Sequence, residues 1–188
     1  MQLQMRFQTY AEEALDVIKA NPVAALVAGV LLAVPIVNMV ALVNFLRGVK
    51  ASRATGASIE LGSLFHTENA ANVVIALVLA AVVMIVSGVI IVGPFLVSAA
   101  FVFTPCLFAD KPGLGWAPAL QGSLSFAIKN PLDMLVLVVL AGLAAFLGSL
   151  CVVGFLITGP FAAALTWVAY EGNRAAVETS SAARGVVL

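Results

Sequence analysis

The chain has 188 residues, of which 63% are hydrophobic and 10% are charged. A typical soluble domain is about 45–50% apolar and about 25% charged, so a water-soluble globular domain is a poor description of this composition. The formal net charge is zero, which excludes a global field that would recruit nucleic acid or an acidic substrate.

Three long stretches of the chain contain no charged residue. Residues 20–46, 69–109 and 134–170 contain no Asp, Glu, Lys or Arg. Apolar runs of this length are typical of segments that lie in a bilayer. The sequence therefore predicts a single integral membrane domain over 1–188. Its fold class is all-α, with three degenerate repeats that each combine an interfacial amphipathic helix with a short transmembrane or re-entrant helical hairpin. This arrangement gives about six membrane helices.

The first repeat covers about 4–53. Its interfacial helix spans 5–20, where apolar residues at helical spacing predict a face that rests on the membrane. The expected anchors on this face are Phe7, Leu15 and Ile18. Asn21-Pro22 then turns the chain inward. The expected hairpin break is Pro35, and the roughly 13 apolar residues before it reach about 20 Å at 1.5 Å per residue. Such a leg is too short to cross a hydrocarbon core of about 30 Å. Two layouts stay open: one kinked span with the N-terminus outside, or a shallow hairpin with the N-terminus inside, which the repeat favours.

The second repeat covers about 57–111. A short amphipathic segment, 58–67, carries the anchor Phe65. Two apolar legs, 70–87 and 93–109, follow, and the expected break between them is the pair Gly93 and Pro94, because proline is tolerated at the first turn of a helix but not in its interior.

The third repeat covers about 115–174, and a polar tail, 175–188, follows. Its amphipathic helix spans 116–129, and the expected interfacial anchors are Trp116, Leu120 and Leu124. Asn130-Pro131 opens the legs 134–150 and 153–170, and the expected hairpin break is the pair Gly159 and Pro160. The alternative for all three surface helices is that they pack on one another outside the membrane.

The hairpin layout places the Lys and Arg residues of the short connections on one side. Positive residues in short loops favour the cytoplasm, so we expect the inner membrane of a bacterium, with charged loops and C-terminus cytoplasmic.

The sequence predicts no enzyme, no cofactor and no metal site. His66 is the one histidine, and no nucleophile motif, zinc motif or phosphate loop is present. Cys106 and Cys151 lie inside apolar runs, as expected of small buried side chains. Asp133 follows Pro131 and is expected to stabilise the start of a helix.

Several short motifs resemble those of a known family. Residues 154–160 read GFLITGP and are followed by Trp167-Val168-Ala169-Tyr170, which looks like the ending of the YciC-like bacterial integral membrane proteins. Residues 119–123 and 59–65 are similar to two surface segments of that family. These proteins are similar to the membrane domain of some glycerophosphodiester phosphodiesterases. The resemblance implies about six membrane helices with interleaved surface helices, and it implies no activity.

The leading hypothesis is a non-enzymatic membrane protein that self-associates and organises or shapes the bilayer. Its partners would be membrane lipids and further copies of the chain. Short hairpins, uncharged far-side turns, surface helices on one face and many small residues motivate this hypothesis. The alternatives are a small-solute channel or transporter, which the internal repeats and proline breaks favour, and an accessory subunit of a membrane complex.

Overall fold

A computed structural model of the chain describes residues 7–34, 37–87, 93–149 and 152–188. Within those ranges every regular element is a helix, which confirms the all-α prediction. In chain order the helices are α1 Phe7–Ala20, α2 Pro22–Leu32, α3 Val37–Thr55, a short 3-10 helix Leu61–Phe65, α4 Ala70–Ser87, α5 Gly93–Phe101, α6 Thr104–Asp110, α7 Trp116–Lys129, α8 Pro131–Ser149 and α9 Val152–Ala182.

Helix α9 organises the bundle, because it packs against α1, α2, α3, α7 and α8. Its Trp167 and Tyr170 are fully buried, with ring centroids 5.5 Å apart. Phe103 lies 5.6 Å from the ring of Tyr170 and 5.6 Å from that of Phe126. Tilted and edge-on aromatic pairs at such separations are favourable, so this cluster joins α9 to α7 and to the segment between α5 and α6.

The two Asn-Pro corners have the same backbone geometry. Asn21 has φ −130° and ψ 52°, and Asn130 has φ −132° and ψ 55°. In both, the side-chain amide donates to the carbonyl four residues earlier, which belongs to Val17 in the first corner and to Phe126 in the second. Each asparagine thus caps the end of one helix, while the following proline begins the next. At the first corner α1 and α2 meet at 102°.

The corners differ in their tertiary contacts, which makes them a matched pair for mutation. Asn21 also accepts the Ile59 N–H at 2.7 Å and donates to Ser52 at 3.3 Å. We expect Asn21→Ala to reduce the free energy of unfolding by about 1–3 kcal/mol, because it leaves the Ile59 N–H buried without an acceptor. Asn130→Ala should have a smaller effect, since the described residues give its side chain one local bond. Thermal unfolding in detergent measures both, and equal losses would contradict this explanation.

Helices α2 and α3 form a hairpin. The bond between Asn21, at the start of α2, and Ser52, near the end of α3, shows that the two helices run antiparallel. Helix α2 has 11 residues and is about 17 Å long at 1.5 Å per residue. Pro35, the expected break, lies outside the described residues. Helix α3 runs through Gly48 and ends at Thr55, where Gly56 follows with a φ of 71°.

In the second repeat, Gly93 is the first residue of α5 and Pro94 lies in its first turn. The second leg has a further break that the sequence analysis missed, between Phe101 and Thr104. The Ser123 hydroxyl of α7 spans this break: it accepts the Phe103 N–H at 3.2 Å and donates to the Ala100 carbonyl at 2.8 Å. Pro105 is the signal in the sequence, because its missing N–H leaves a carbonyl of the preceding turn unbonded.

In the third repeat, the expected break at Gly159 and Pro160 is wrong, because Pro160 lies in the interior of α9. The gap between α8 and α9 falls at 150–151, outside the described residues. Proline has no N–H for the Leu156 carbonyl, and Gly29 of α2 approaches that same carbonyl so closely that a Cβ there would overlap it. A close neighbour without a side chain therefore covers the unbonded carbonyl, and the helix continues.

The segment expected to be a polar tail is packed against the bundle. Helix α9 continues to Ala182, with Val177 and Ser181 buried. Beyond the helix, Leu188 contacts Gly122 of α7 so closely that a Cβ on Gly122 would lie 2.8 Å from Leu188 Cδ2.

Among the described residues, one helix is long and apolar enough to cross a membrane. It is α8, over Pro131–Gly148, with mean hydropathy 2.2. The bent pair α1 and α2 would add a second span if the two helices acted as one. Shorter apolar helices occur at Ala70–Val83 and Pro94–Asp110. The sequence pattern predicts about six membrane helices, and fewer of the described helices are both long enough and apolar enough to span a membrane.

Candidate functional site

Asp110, the last residue of α6, is the centre of a buried ionic cluster. Its side chain is 1% exposed. Oδ1 lies 2.8 Å from Lys50 Nζ, and Oδ2 lies 2.9 Å from the Arg174 guanidinium and accepts the Tyr170 hydroxyl at 3.0 Å. Lys50 also donates to the Asp110 backbone carbonyl at 2.9 Å, a carbonyl that a helix C-terminus otherwise leaves unbonded. Two cations and a hydroxyl thus surround one carboxylate and join α3, α6 and α9.

Sequence reasoning missed this cluster. It placed Lys50, Asp110 and Arg174 in separate charged segments, with no means of pairing them. The available signal was that Tyr170 and Arg174 are four residues apart, on one face of a helix, and that Asp110 directly ends a charge-free run.

Arg53 forms a second junction, between α1, α3 and α9. Its guanidinium donates to Glu13 and to Glu171, both at 2.7 Å. Burial lowers the pKa of Arg53, but the hydrogen bonds and negative charges of the two glutamates raise it by more, so this pKa lies above its ordinary value. These side chains are partly exposed, and exposed ion pairs contribute about 0–1 kcal/mol each. The junction therefore sets the orientation of α1 more than it stabilises the fold.

The same end of the bundle holds the remaining ion pairs of the described structure. Glu178 lies 2.9 Å from Lys111 and 3.7 Å from Arg174, which extends the Asp110 cluster along α9. Arg47 lies 3.7 Å from Glu68. Charges that are widely separated in sequence therefore meet at one end, which we call the polar end of the bundle.

A groove opens at the polar end between α3 and the connection from Ser58 to Glu68. Its volume is about 380 Å³, and Arg47, Glu60, His66 and Glu68 provide the charged or titratable side chains of its lining. Asn44 fixes one wall, since its amide donates to the carbonyls of Leu64 at 3.0 Å and His66 at 2.6 Å.

The connection packs closely against α3 at Gly48, which lines the groove. A Cβ on Gly48 would lie 2.7 Å from Ile59 Cγ2, so glycine allows the connection to approach α3. Asn21 holds the Ile59 backbone in place through its 2.7 Å bond. The groove is thus formed by hydrogen bonds and packing within the chain.

A second cavity, of about 320 Å³, lies among α2, α3, α8 and α9 and the kinked α5–α6 segment. Its lining is almost entirely apolar and includes Pro105, next to the α5–α6 break, and Gly159. Such a lining suits an apolar group and offers no charge to an ion.

The expected interfacial anchors fall into two groups. Leu15, Phe65 and Trp116 are exposed, whereas Ile18 is buried and Phe7, Leu120 and Leu124 are partly buried. Helix α7 packs inward through Ala119, Ser123 and Phe126, which are small, polar or aromatic. The expected anchors on α7, Trp116, Leu120 and Leu124, therefore lie next to this packed face and are exposed or partly buried.

Titratable side chains form no metal centre in the described part of the chain: no group of three or more His, Cys, Asp or Glu residues could hold a metal ion. Cys106 is buried, and His66 lines the groove. Asp133 lies in the first turn of α8, at the place where the sequence expected a helix-start residue.

The fold and this polar end define an all-helical protein with one clear candidate membrane span. No protein-family model, curated protein or solved structure matches the chain. The resemblance to the YciC-like proteins accordingly stays a prediction.

Proposed function

We propose that this chain is a non-enzymatic integral membrane protein that self-associates and organises or shapes the bilayer. The observation that carries the proposal is the separation of its two surfaces. Large apolar side chains are exposed along several helices, while the ion pairs of the described residues gather at the polar end.

The exposed apolar surface supports a membrane location. Of the 18 residues of α8 over Pro131–Gly148, 17% are buried, whereas the core helix of a soluble protein would be mostly buried. Further large apolar side chains are exposed on α2, α4 and α5, and they include Val23, Leu26, Ile75, Val82, Phe95 and Leu96. Exposed apolar surface on this many helices is costly in water and favourable against lipid. The shorter helices would then be the legs of hairpins that enter and leave on one side.

The shape of the polar end supports an effect on the bilayer. Helix α1 meets α2 at 102°, so it lies crosswise to the hairpin instead of extending it. Together with α7 and the 3-10 helix, it would occupy more area in one leaflet than the short hairpins occupy in the other. The Lys and Arg residues at this end favour the cytoplasmic side of a bacterial inner membrane.

The outer face of α8 supports self-association. Leu132, Val136, Leu143 and Leu147 are exposed at successive spacings of four, seven and four residues, which places them on one face. Beside them, a Cβ on Gly142 would meet no described atom within 4 Å, so a partner helix could approach closely here.

Cysteine labelling tests the topology. In a background with both cysteines replaced by serine, we expect single cysteines at Ser58 and Thr179 to react with a membrane-impermeant maleimide in inverted vesicles and not in intact spheroplasts. Both positions are exposed at the polar end. Labelling of both from outside would reverse the orientation, and recovery of the chain in the soluble fraction would overturn the membrane proposal.

Native mass spectrometry in mild detergent tests self-association. We expect a discrete homo-oligomer that retains lipids, and disulfide formation between copies that carry Leu143→Cys in the same background. Ile75→Cys on α4, also exposed, is the matched control and should crosslink less. A monomer that crosslinks at neither site would overturn the proposal.

The apolar cavity favours a second candidate function, carriage of a small apolar molecule. A single copy that retains one such molecule after lipid removal, and loses it on Gly159→Leu, would favour carriage over bilayer organisation. Ion transport receives less support, because the described lining of the cavity has no charged side chain.

A further inference from the structure

Arg47 is a basic residue of the polar end whose side chain is largely buried, at 18% exposure, and whose bonds are long. Its guanidinium donates to Asn44 Oδ1 at 3.4 Å and to the Phe108 carbonyl at 3.4 Å, and it lies 3.7 Å from Glu68. Its Nε is buried and has no acceptor among the described residues. By contrast, Lys50, Arg53, Lys111 and Arg174 each lie within 2.9 Å of a carboxylate.

Loose bonds to a largely buried guanidinium are unusual, because desolvated charged groups need close partners. Arg47 carries five N–H donors in a planar fork that fits phosphate in a bidentate manner. Its side chain lines the groove between α3 and the connection 58–68. Because Nε is buried, a phosphate in this groove would be bound by the terminal N–H groups of Arg47, whose bonds to Asn44 and Phe108 are 3.4 Å long.

The groove also holds negative charge. Glu60 and Glu68 line it together with Arg47, so its formal charge with a neutral His66 is −1. A purely anionic ligand would gain one cation and face two carboxylates. A ligand that carries both a phosphate and an ammonium group would pair with all three side chains.

The described lining contains no Trp, Tyr or Phe, the residues that recognise a trimethylammonium group through cation–π contacts. Carboxylates instead favour an ammonium that can donate hydrogen bonds. This difference favours a primary ammonium over choline.

The position of the groove indicates a lipid as the source of that headgroup. Asn44 and Arg47 lie where the first charge-free run ends, at the boundary between the apolar surface and the polar end. Next to the groove, the 3-10 helix exposes Leu61 and Phe65, which offer an apolar surface for acyl chains. The volume of about 380 Å³ falls within the range of about 300–1,000 Å³ that is usual for small-molecule sites.

We propose that this groove binds the phosphoethanolamine headgroup of a membrane lipid, with Arg47 on the phosphate and Glu60 and Glu68 on the ammonium. The inference rests on the proposed membrane location. It names the lipid with which a bilayer-organising protein of this kind would interact at the cytoplasmic face.

The test uses the full chain, reconstituted in nanodiscs that contain equal amounts of phosphatidylethanolamine, phosphatidylcholine and phosphatidylglycerol. The lipids that stay bound after release into the gas phase are counted by native mass spectrometry. We expect phosphatidylethanolamine to be enriched about tenfold over the other two, the ratio that one well-made set of charged hydrogen bonds supports.

Two sets of substitutions separate the two halves of the headgroup. Arg47→Gln should abolish the enrichment. The double variant Glu60→Gln and Glu68→Gln, at two exposed positions where folding is not at risk, should bring the ethanolamine-to-choline ratio close to one while phospholipid binding persists. Lys19→Gln on α1 removes a positive charge from an exposed site outside the groove and should leave the enrichment unchanged.

Each contrary result has a distinct meaning. Equal enrichment in the wild-type chain and in both groove variants would overturn the site. Displacement of the lipid by millimolar inorganic phosphate alone would show a simple anion site and overturn the headgroup assignment. A separate flotation assay of insertion into liposomes distinguishes membrane insertion from lipid preference. A chain that inserts without lipid preference would overturn this inference alone. A chain that does not insert would overturn the proposed function as well.

Discussion

Replacement of Asp110 by alanine should reduce the free energy of unfolding by about 1–3 kcal/mol. The Tyr170 hydroxyl would lose its acceptor at 3.0 Å, and Lys50 and Arg174 would keep their positive charges beside each other. The effect stays below the range of about 3–5 kcal/mol for a fully buried pair, because these two cationic side chains are 38% and 46% exposed and remain partly solvated. At about 2–4 °C per kcal/mol for a chain of this size, the melting temperature should fall by roughly 2–12 °C. Circular dichroism of the purified chain in mild detergent measures the change.

Two comparisons isolate the charge effect. Asp110→Asn keeps the shape and an acceptor for Tyr170, so its loss should be smaller than that of Asp110→Ala and should report the unpaired cations. Asp16→Asn removes a carboxylate from the exposed face of α1 and should change stability by no more than about 0.5 kcal/mol. If Asp110→Ala melted at the temperature of the Asp16 variant, the cluster would have no structural role.

Introduction of a single methyl group at Gly29 should destabilise the bundle by about 1–3 kcal/mol, the usual cost of overpacking a close contact. A Cβ at this position would overlap the Leu156 carbonyl oxygen and lie 2.7 Å from the carbonyl carbon. These atoms are backbone of α9, so no rotamer change can relieve the overlap, and α2 would have to move away from α9. That movement would also uncover the carbonyl that Pro160 leaves unbonded.

Gly142→Ala is the matched control for this substitution. Gly142 lies in α8, and a Cβ there would meet no described atom within 4 Å. Because alanine is the better helix former, the substitution should stabilise an isolated copy by up to about 1 kcal/mol. The difference between the two glycine variants therefore measures close packing and excludes helix propensity as its cause. If Gly142→Ala destabilised the oligomer but not an isolated copy, the result would show that a neighbouring copy packs against α8 at this position.

Local patterns in the chain were sufficient to predict most helix positions. The amphipathic segments 5–20 and 116–129 became α1 and α7, with ends within a few residues of those expected. The two Asn-Pro corners could be predicted because the backbone angles of a proline and of the residue before it are restricted by local sterics, whatever surrounds them. The charge-free runs could be located for a similar reason, since composition alone shows which segments lack charged residues.

The sequence did not show whether a helix breaks at a given proline. Pro94 lies in the first turn of α5, Pro105 accompanies a break that Ser123 bridges, and Pro160 lies in an unbroken helix. The outcomes differ with position and with neighbours: the first helical turn requires no N–H from Pro94, whereas the Leu156 carbonyl that Pro160 leaves unbonded is covered by a close neighbour. That neighbour, Gly29 of α2 for Pro160, is more than a hundred residues away in the chain.

The sequence by itself therefore determined the helical class, the corners and the separation of charged from apolar segments, since these depend on each residue and its near neighbours. The tertiary structure alone decided which charges pair and where a groove opens. Lys50 and Asp110 are 60 residues apart, and Asn21 reaches Ile59 across 38 residues. Contacts of this kind arise from the packing of whole helices, which a local pattern does not contain.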